Sequence, residues 1–494
     1  MQQDALAHAL ATAVTETYSS LPPNGKPTPR SNGQPQWTVL AGFCLYRDSH
    51  APVCVSLGTG LKSLPHAKLP VHGDVLHDSH AEIIAKRGFK LWIYAEMDRA
   101  LKGDAGVYVE RASDGWRIRT GWEVGMWVST LPCGDASTYA LSLASASSSS
   151  TAPAAPPVPC PTFELLPSPP SLHPSLVRAA SLGLVTSRSP AAPPSALPGS
   201  PSATLAAAGV HRGRASYTSL GTLRTKPGRA DSPPTTSHSC SDKLALWALV
   251  GLQGGLLSSL RVERVRLGCL AVSGVKGAEE YRERVRDEVR RAVGGRLEGW
   301  VGPAGERAAV PRVELVEVEF EHSREAVARE YGVEEDEALS CQESLSWVQG
   351  LGTEVITNGI RQGAASKRKP GEPLGPKARS RLSKLSLFQR HLELQPRALS
   401  PSSSPDSVVG LSSSATYFST KHGTASSSSS ASYPALKAAV RARPTAPPPP
   451  PPLSSEAGPF AAWLVSGEKW ESFDAEGRVR ECGAGGAGGG GKAG

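Results

Sequence analysis

Leu76-His77-Asp78-Ser79-His80-Ala81-Glu82-Ile83-Ile84-Ala85-Lys86-Arg87 is the stretch around which the chain is organised. It sets a histidine and a glutamate two residues apart, behind an Asp-Ser pair that reads as a helix start. The His80 imidazole suits a metal ligand. The Glu82 carboxylate, too far round to share the metal, suits a proton shuttle for an activated water. Ala81, Ile84, Ala85, Gly88, Leu91, Trp92 and Ala95 recur on one helical face, which puts His80 and Glu82 in the first turn. There the partial positive charge of a helix N-terminus favours a developing hydroxide or oxyanion. A histidine at a helix start is more often a cap or a surface residue, so this reading needs two thiolates from elsewhere.

Two cysteines stand in suitable contexts. Val124 to Thr130 reads as a buried strand running into Leu131-Pro132-Cys133-Gly134-Asp135, which presents a thiol at the carboxyl end of a sheet and just before a helix. Ser239-Cys240-Ser241-Asp242-Lys243 repeats the arrangement ahead of an apolar helix. His238 competes for that third position, but its place before the helix favours Cys240. Cys160 sits in a Ser/Ala/Pro tract and is set aside.

The totals bound the rest. In 494 residues, 43 prolines and 50 glycines crowd, with Ser and Ala, into tracts that cannot bury enough apolar surface to offset the entropy of ordering them. One core assembled from separated blocks is therefore expected. The divisions are an N-terminal helix and loop (1–36), a first core part (37–139), a disordered insert (140–212) and a second core part (213–398). A low-complexity stretch with short binding pieces (399–458), a C-terminal core segment (459–480) and a Gly-rich tail (481–494) complete the chain. The net charge of +8 suits a polyanionic partner such as RNA. Eight scattered cysteines, no secretory signal and no long apolar run place the chain in a reducing cytosol or nucleus.

Leu6, Leu10, Val14 and Tyr18 space out an amphipathic helix. Trp37–Leu45 and Pro52–Leu57 read as a hairpin, Val313–Phe320 as an alternating strand, and Ser344–Trp347 with Thr353–Thr357 as a second hairpin. Lys62, at the end of Gly58-Thr59-Gly60-Leu61-Lys62, is either a phosphate contact or a solvated lysine. The run of basic residues from Arg361 to Lys384 is a solvated loop, a phosphate-tracking patch or a nuclear address.

Taken together, G-T-G-x-K (58–62), D-S-H-A-E-I-I-A-K-R (78–87), L-P-C-G-D-A-S (131–137), S-C-S-D-K (239–243) and G-L-Q-G (251–254) resemble the adenosine deaminase domain of the RNA-editing deaminases. The opening helix, Trp37-Thr38-Val39-Leu40-Ala41 and Leu223–Arg229 are similar to the tRNA-acting branch, and no double-stranded-RNA-binding domain precedes these blocks. The resemblance implies a cytidine-deaminase-like three-layer α/β/α core with a mixed central sheet, interrupted by disordered inserts. It implies Zn2+ on His80, Cys133 and Cys240, with Glu82 as the catalytic acid and base. The implied substrate is adenosine in tRNA, at position 37 beside the anticodon of tRNA-Ala, and Lys62 is the candidate substrate contact. It also implies inositol hexakisphosphate buried behind the metal, held by Lys86, Arg87, Lys243, Lys384, Lys421 and Lys437, with Trp247, Tyr417, Tyr433 and Trp463 around it. So many converging lysines could not be buried without a polyanion to compensate them. His77 and Leu246 depart from the pattern, standing where the messenger-RNA editors carry an asparagine and an arginine.

Three other readings compete. Editing of double-stranded or messenger RNA would need an accessory binding domain. A catalytically silent, zinc-containing RNA-binding subunit would have no use for Glu82. Free-nucleoside cytidine deaminases are short chains whose two cysteines lie close together, unlike Cys133 and Cys240.

Overall fold

The computed structural model describes residues 3–48, 50–148, 210–213, 219–226, 232–233, 235–364, 369–399, 415–423, 432–442 and 458–480. Its centre is an eight-stranded mixed sheet. The strands are β1 (Leu40–Tyr46), β2 (Val53–Thr59), β3 (Glu123–Val128), β4 (Leu267–Val272), β5 (Arg312–Leu315), β6 (Glu343–Val348), β7 (Gly352–Thr357) and β8 (Ile360–Arg361). Their order is β5-β4-β3-β1-β2-β6-β7-β8. The β5-β4-β3 edge is parallel, and every pairing from β3 through β1 to β8 is antiparallel. Every residue of β1 is buried, as expected of a central strand with helices on both faces.

Those helices explain the burial. The Leu6, Leu10, Val14 and Tyr18 stripe of α1 (Gln3–Ser19) packs on one face against Leu40, Cys44, Leu57 and Trp127. Burying each of these large side chains is worth about 1.5–3 kcal/mol. Close approach is allowed by Gly42, where a Cβ would lie 2.6 Å from Val14. On the other face α2 (Ala81–Leu101) buries Ile84, Phe89 and Trp92 over β1 and β2, with the Phe43 and Phe89 rings stacked at 5.1 Å. The remaining helices used below are α3 (Asp135–Ser148), α4 (Cys240–Val250), α5 (Glu279–Gly294), α6 (Lys384–Leu399), α7 (Tyr417–His422) and α8 (Tyr433–Ala439).

Both expected hairpins form, as β1–β2 and β6–β7. Other expectations are corrected. Val313–Phe320 pairs only as far as Leu315, because its neighbour β4 ends at Val272. Val316 and Phe320 instead pack in the cluster beneath α1. The stretch from 140 continues α3 as far as Ser148 rather than opening an insert at once. The basic run is not a solvated loop throughout. Arg381 donates to the carbonyls of Leu351, Ser346 and Gly352, and Lys384 begins α6. Lys367 and Arg368, Cys160, Arg229, the run of prolines at 447–452 and the Gly-rich tail lie outside the described residues. No described helix is long and apolar enough to cross a membrane.

Candidate active site and the cation-lined cavity behind it

Three chain segments bring the predicted ligands to one place. His80 is the N-cap of α2 and the last residue of a short strand, Asp78–His80, that pairs with Leu61–Ser63. It therefore precedes the first turn rather than lying in it, and Asp78 and Ser79 are strand residues rather than helix caps. Glu82 is the second residue of α2 and buried. Cys133 follows β3 by five residues and just precedes α3, and Cys240 is the first residue of α4. Three helix N-termini thus point their partial positive charge at one spot.

Contacts tie them together. The backbone N–H of Cys240 donates to Cys133 Sγ at 3.3 Å, and Ser241 Oγ donates to the Cys133 carbonyl at 2.9 Å. The two helix starts can approach this closely because residue 134 is glycine, at φ +102°. A Cβ there would stand 2.2 Å from Ser239 Oγ. His80 bonds Cys133, and Cys133 bonds Cys240. Those pairwise contacts do not amount to a spacing that by itself defines a metal centre, for among the described residues no group of three His, Cys, Asp or Glu side chains has one. The chemistry of the donors, one imidazole and two thiols, is nonetheless that of a zinc site.

Electrostatics at this spot are coupled. The bond from Cys240 holds the Cys133 thiol well below its usual range despite burial, with Lys226 and His80 adding to the effect. Burial and Lys226 oppose protonation of His80, but Asp78 and the Cys133 bond outweigh them and hold its pKa up at about 9. Burial, with Cys133 nearby, raises the Glu82 carboxyl, which helps it hold a proton.

Sequence reasoning missed the hub of this arrangement, Asp78. Its Oδ1 receives His80 Nδ1 at 2.9 Å, while Lys226 Nζ reaches Oδ2 at 2.9 Å, and Ser237 Oγ and Lys243 Nζ bond the same carboxylate. Lys226 also lies 3.2 Å from Cys240 Sγ. Burial opposes the charge on Asp78, but Lys226, Lys243 and His80 hold its carboxyl well below the usual range. Engaging Nδ1 leaves His80 Nε2 as the free donor, the usual second-sphere arrangement of a metal-bound histidine. His238 stands apart from the thiols, accepting from the Leu464 N–H and stacked 4.1 Å from Trp463. Lys62 lies on the strand beside Ser79 and donates to Ser340 Oγ at 2.7 Å.

Behind Asp78 is a cavity of about 400 Å³. Lys86, Arg87, Lys243, Trp247, Lys384, Lys421, Tyr433, Lys437 and Trp463 all line it. Tyr417 does not reach the lining. Its ring lies beneath Lys421 and Lys384, 5.3 and 5.9 Å from their ammonium groups. His77 and Leu246 line the cavity too, as do two cations absent from the expected set, Lys90 and Arg441. Both carried a signal, a four-residue spacing from a cation already singled out: Lys86–Lys90 on one face of α2, and Lys437–Arg441 from the last turn of α8 to the turn just beyond it. Burial pushes Lys86 down to about 7, helped by Arg87 and Lys243, and Arg441 down to about 10; burial and neighbouring cations also hold Lys90 and Lys437 well below the usual lysine range.

Comparison with known proteins identifies the domain. The adenosine-deaminase (editase) domain model matches residues 56–439, most of the chain and all four of His80, Glu82, Cys133 and Cys240. The chain belongs to this family. It is similar to "tRNA-specific adenosine deaminase 1" of Mus musculus, at 28% identity over 78% of this chain and 87% of the mouse protein. The Homo sapiens protein of the same name is 27% identical over 79% of this chain and 89% of its own length. The Drosophila melanogaster "Double-stranded RNA-specific editase Adar" is 26% identical over 60% of this chain and 37% of the editase.

Proposed function

We propose that this adenosine-deaminase-family chain converts adenosine to inosine in tRNA, at position 37 of tRNA-Ala, on a cytidine-deaminase-like three-layer core. The observation that carries this reading is the meeting of His80, Cys133 and Cys240 at three helix starts beside the buried Glu82. Similarity to proteins named as tRNA-specific over most of their length, against little more than a third of the editase, favours tRNA as the substrate.

His80 Nε2 and the two thiolates would hold a zinc ion, displacing the protons they now share. Bound there, zinc supplies the Lewis acidity that makes a water a nucleophile near neutral pH. Glu82 takes a proton from the attacking water and returns protons to adenine N1 and to the departing ammonia, so that adenosine and water yield inosine and ammonia. Asp78 keeps the His80 ring in one orientation and tautomer. The converging N-termini of α2, α3 and α4 favour the negative charge that develops on the nucleobase.

The same reading assigns inositol hexakisphosphate to the cavity, because cations lining it outnumber its carboxylates. Lys243 joins the two regions by touching Asp78 from the cavity wall. Incubating tRNA-Ala with the protein and sequencing its reverse transcript is the test. An A-to-G change at position 37 is expected, and an unchanged tRNA would overturn the reading.

A further inference from the structure

The cavity wall divides into two charge regimes. On one side each cation has an anion. Lys384 and Lys421 both pair with Glu471, at 3.1 and 2.5 Å, and His422 bonds the same carboxylate. Lys243 pairs with Asp78. On the other side, Lys86, Lys90, Lys437 and Arg441 have no carboxylate partner among the described residues. Lys86 lies 4.5 Å over the Trp247 ring, Lys437 5.6 Å over Tyr433, and Arg441 5.0 Å over Trp463 with its Nε buried and unbonded. Lys90 sits beside Gly254 and makes no hydrogen bond or ion pair among the described residues.

Aromatic faces do not balance this wall. The attraction of a cation to a ring recovers only a fraction of what desolvating the ion costs. Like charges also crowd this wall, Lys90 feeling Arg87, Lys86 and Lys421, and Lys437 feeling Lys421, Arg441 and Lys86; Glu471 acts on Lys437 and Arg441 from a distance, and burial still leaves both below their usual ranges. Leu246, on the same lining, brings no charge.

We propose that Lys90 and Arg441 are ligands of the polyphosphate, and that the ligand turns its densest negative charge to the α2–α8 wall, away from Glu471. This rests on the polyphosphate reading above. An unpaired ammonium and an unpaired guanidinium Nε are donors that an anion from outside the chain satisfies with strong, charge-assisted bonds. The paired cations offer less, since Glu471 already uses their charge.

The test uses the full chain, with inositol hexakisphosphate as the probe. Calorimetry gives its affinity, and phosphorus NMR of acid extracts gives the amount carried through purification. Lys90→Met and Arg441→Met are each expected to weaken binding by roughly ten- to hundredfold, the worth of one charge-assisted hydrogen bond, while Lys90→Arg keeps it. If the unaltered chain neither carries nor binds the probe, the polyphosphate reading itself fails. If it binds, and both Met variants bind as tightly, only the present inference falls. Should Lys90→Met not fold, a folded and loaded Lys90→Arg chain supports the charge requirement, whereas failure of both substitutions would mark the position as one of packing and overturn the assignment.

Discussion

Two neighbouring regions of this molecule handle buried charge in opposite ways. Around Asp78 each charge is answered within the chain. One carboxylate serves Lys226, Lys243 and His80, and the Cys133 sulfur, held well below its usual range, is met by Cys240, Lys226 and His80. In the cavity one helical turn along α2, Glu471 pairs with only part of the wall, and Lys86, Lys90, Lys437 and Arg441 make no ion pair among the described residues. On the proposed function the first region does the chemistry and the second is completed by a polyanion. A buried pair offsets much of its desolvation when its geometry is good, but an unpaired buried charge strongly destabilises the fold.

Glu82→Gln breaks the comparison at its most sensitive point. The substitution keeps shape and volume but removes the group proposed to move protons, so turnover on tRNA should fall by roughly 10²–10⁴-fold. Zinc content, measured by atomic absorption on purified protein, should not change. Loss of zinc would make Glu82 a ligand and end its role as acid and base.

Asp78→Asn probes the joint between the regions. It removes the carboxylate that orients His80 and neutralises Lys226 and Lys243 together. Zinc affinity, measured by competition with a chelator, should drop about 10- to 100-fold. Unchanged zinc affinity would mean that His80 is held by its backbone alone.

What could be read in advance follows from the same contrast. His80, Glu82, Cys133 and Cys240 were legible because each sits at a helix start, where local spacing and a short motif fix its position. Asp78 was not, since in isolation it looks like a helix-starting residue. Its use as a hub depends on Lys226, which arrives from 148 positions further along. Arg381 looked like part of a solvated run until the β6–β7 turn supplied carbonyls for it. Val316 to Phe320 kept the alternation of a strand but lost its pairing partner, a fact decided by where β4 stops. Lys90 and Arg441 repeat the four-residue spacing of cations already singled out. A lysine four residues from another is so often a solvated helix face that only the cavity reveals what they share.

The smallest effect expected is a pH dependence that separates the two regions without any loss of activity. Lys86 faces Arg87 and Lys90 on its own helix, Lys243 and Trp247 from α4, and Lys437 from α8, with no carboxylate among them. Burial, then Arg87 and Lys243, bring its folded pKa down to about 7, against an ordinary value of 10.5. Between those two values the unfolded chain holds a proton that the folded chain does not. Stability without the polyanion should therefore rise with pH from about 7 to about 10. Below about 7 both states are protonated, and the whole penalty for burying the charge is felt. A bound polyanion restores the proton to folded Lys86, so the slope should flatten when inositol hexakisphosphate is present. Denaturant unfolding across this range, with and without the probe, reads both slopes, and Lys86→Met should make the first less steep, Lys90 and Lys437 keeping the remainder. A slope unchanged by Lys86→Met would trace the whole dependence to the other cations of the wall. A slope untouched by the probe would mean that the cavity does not answer its charge in this way.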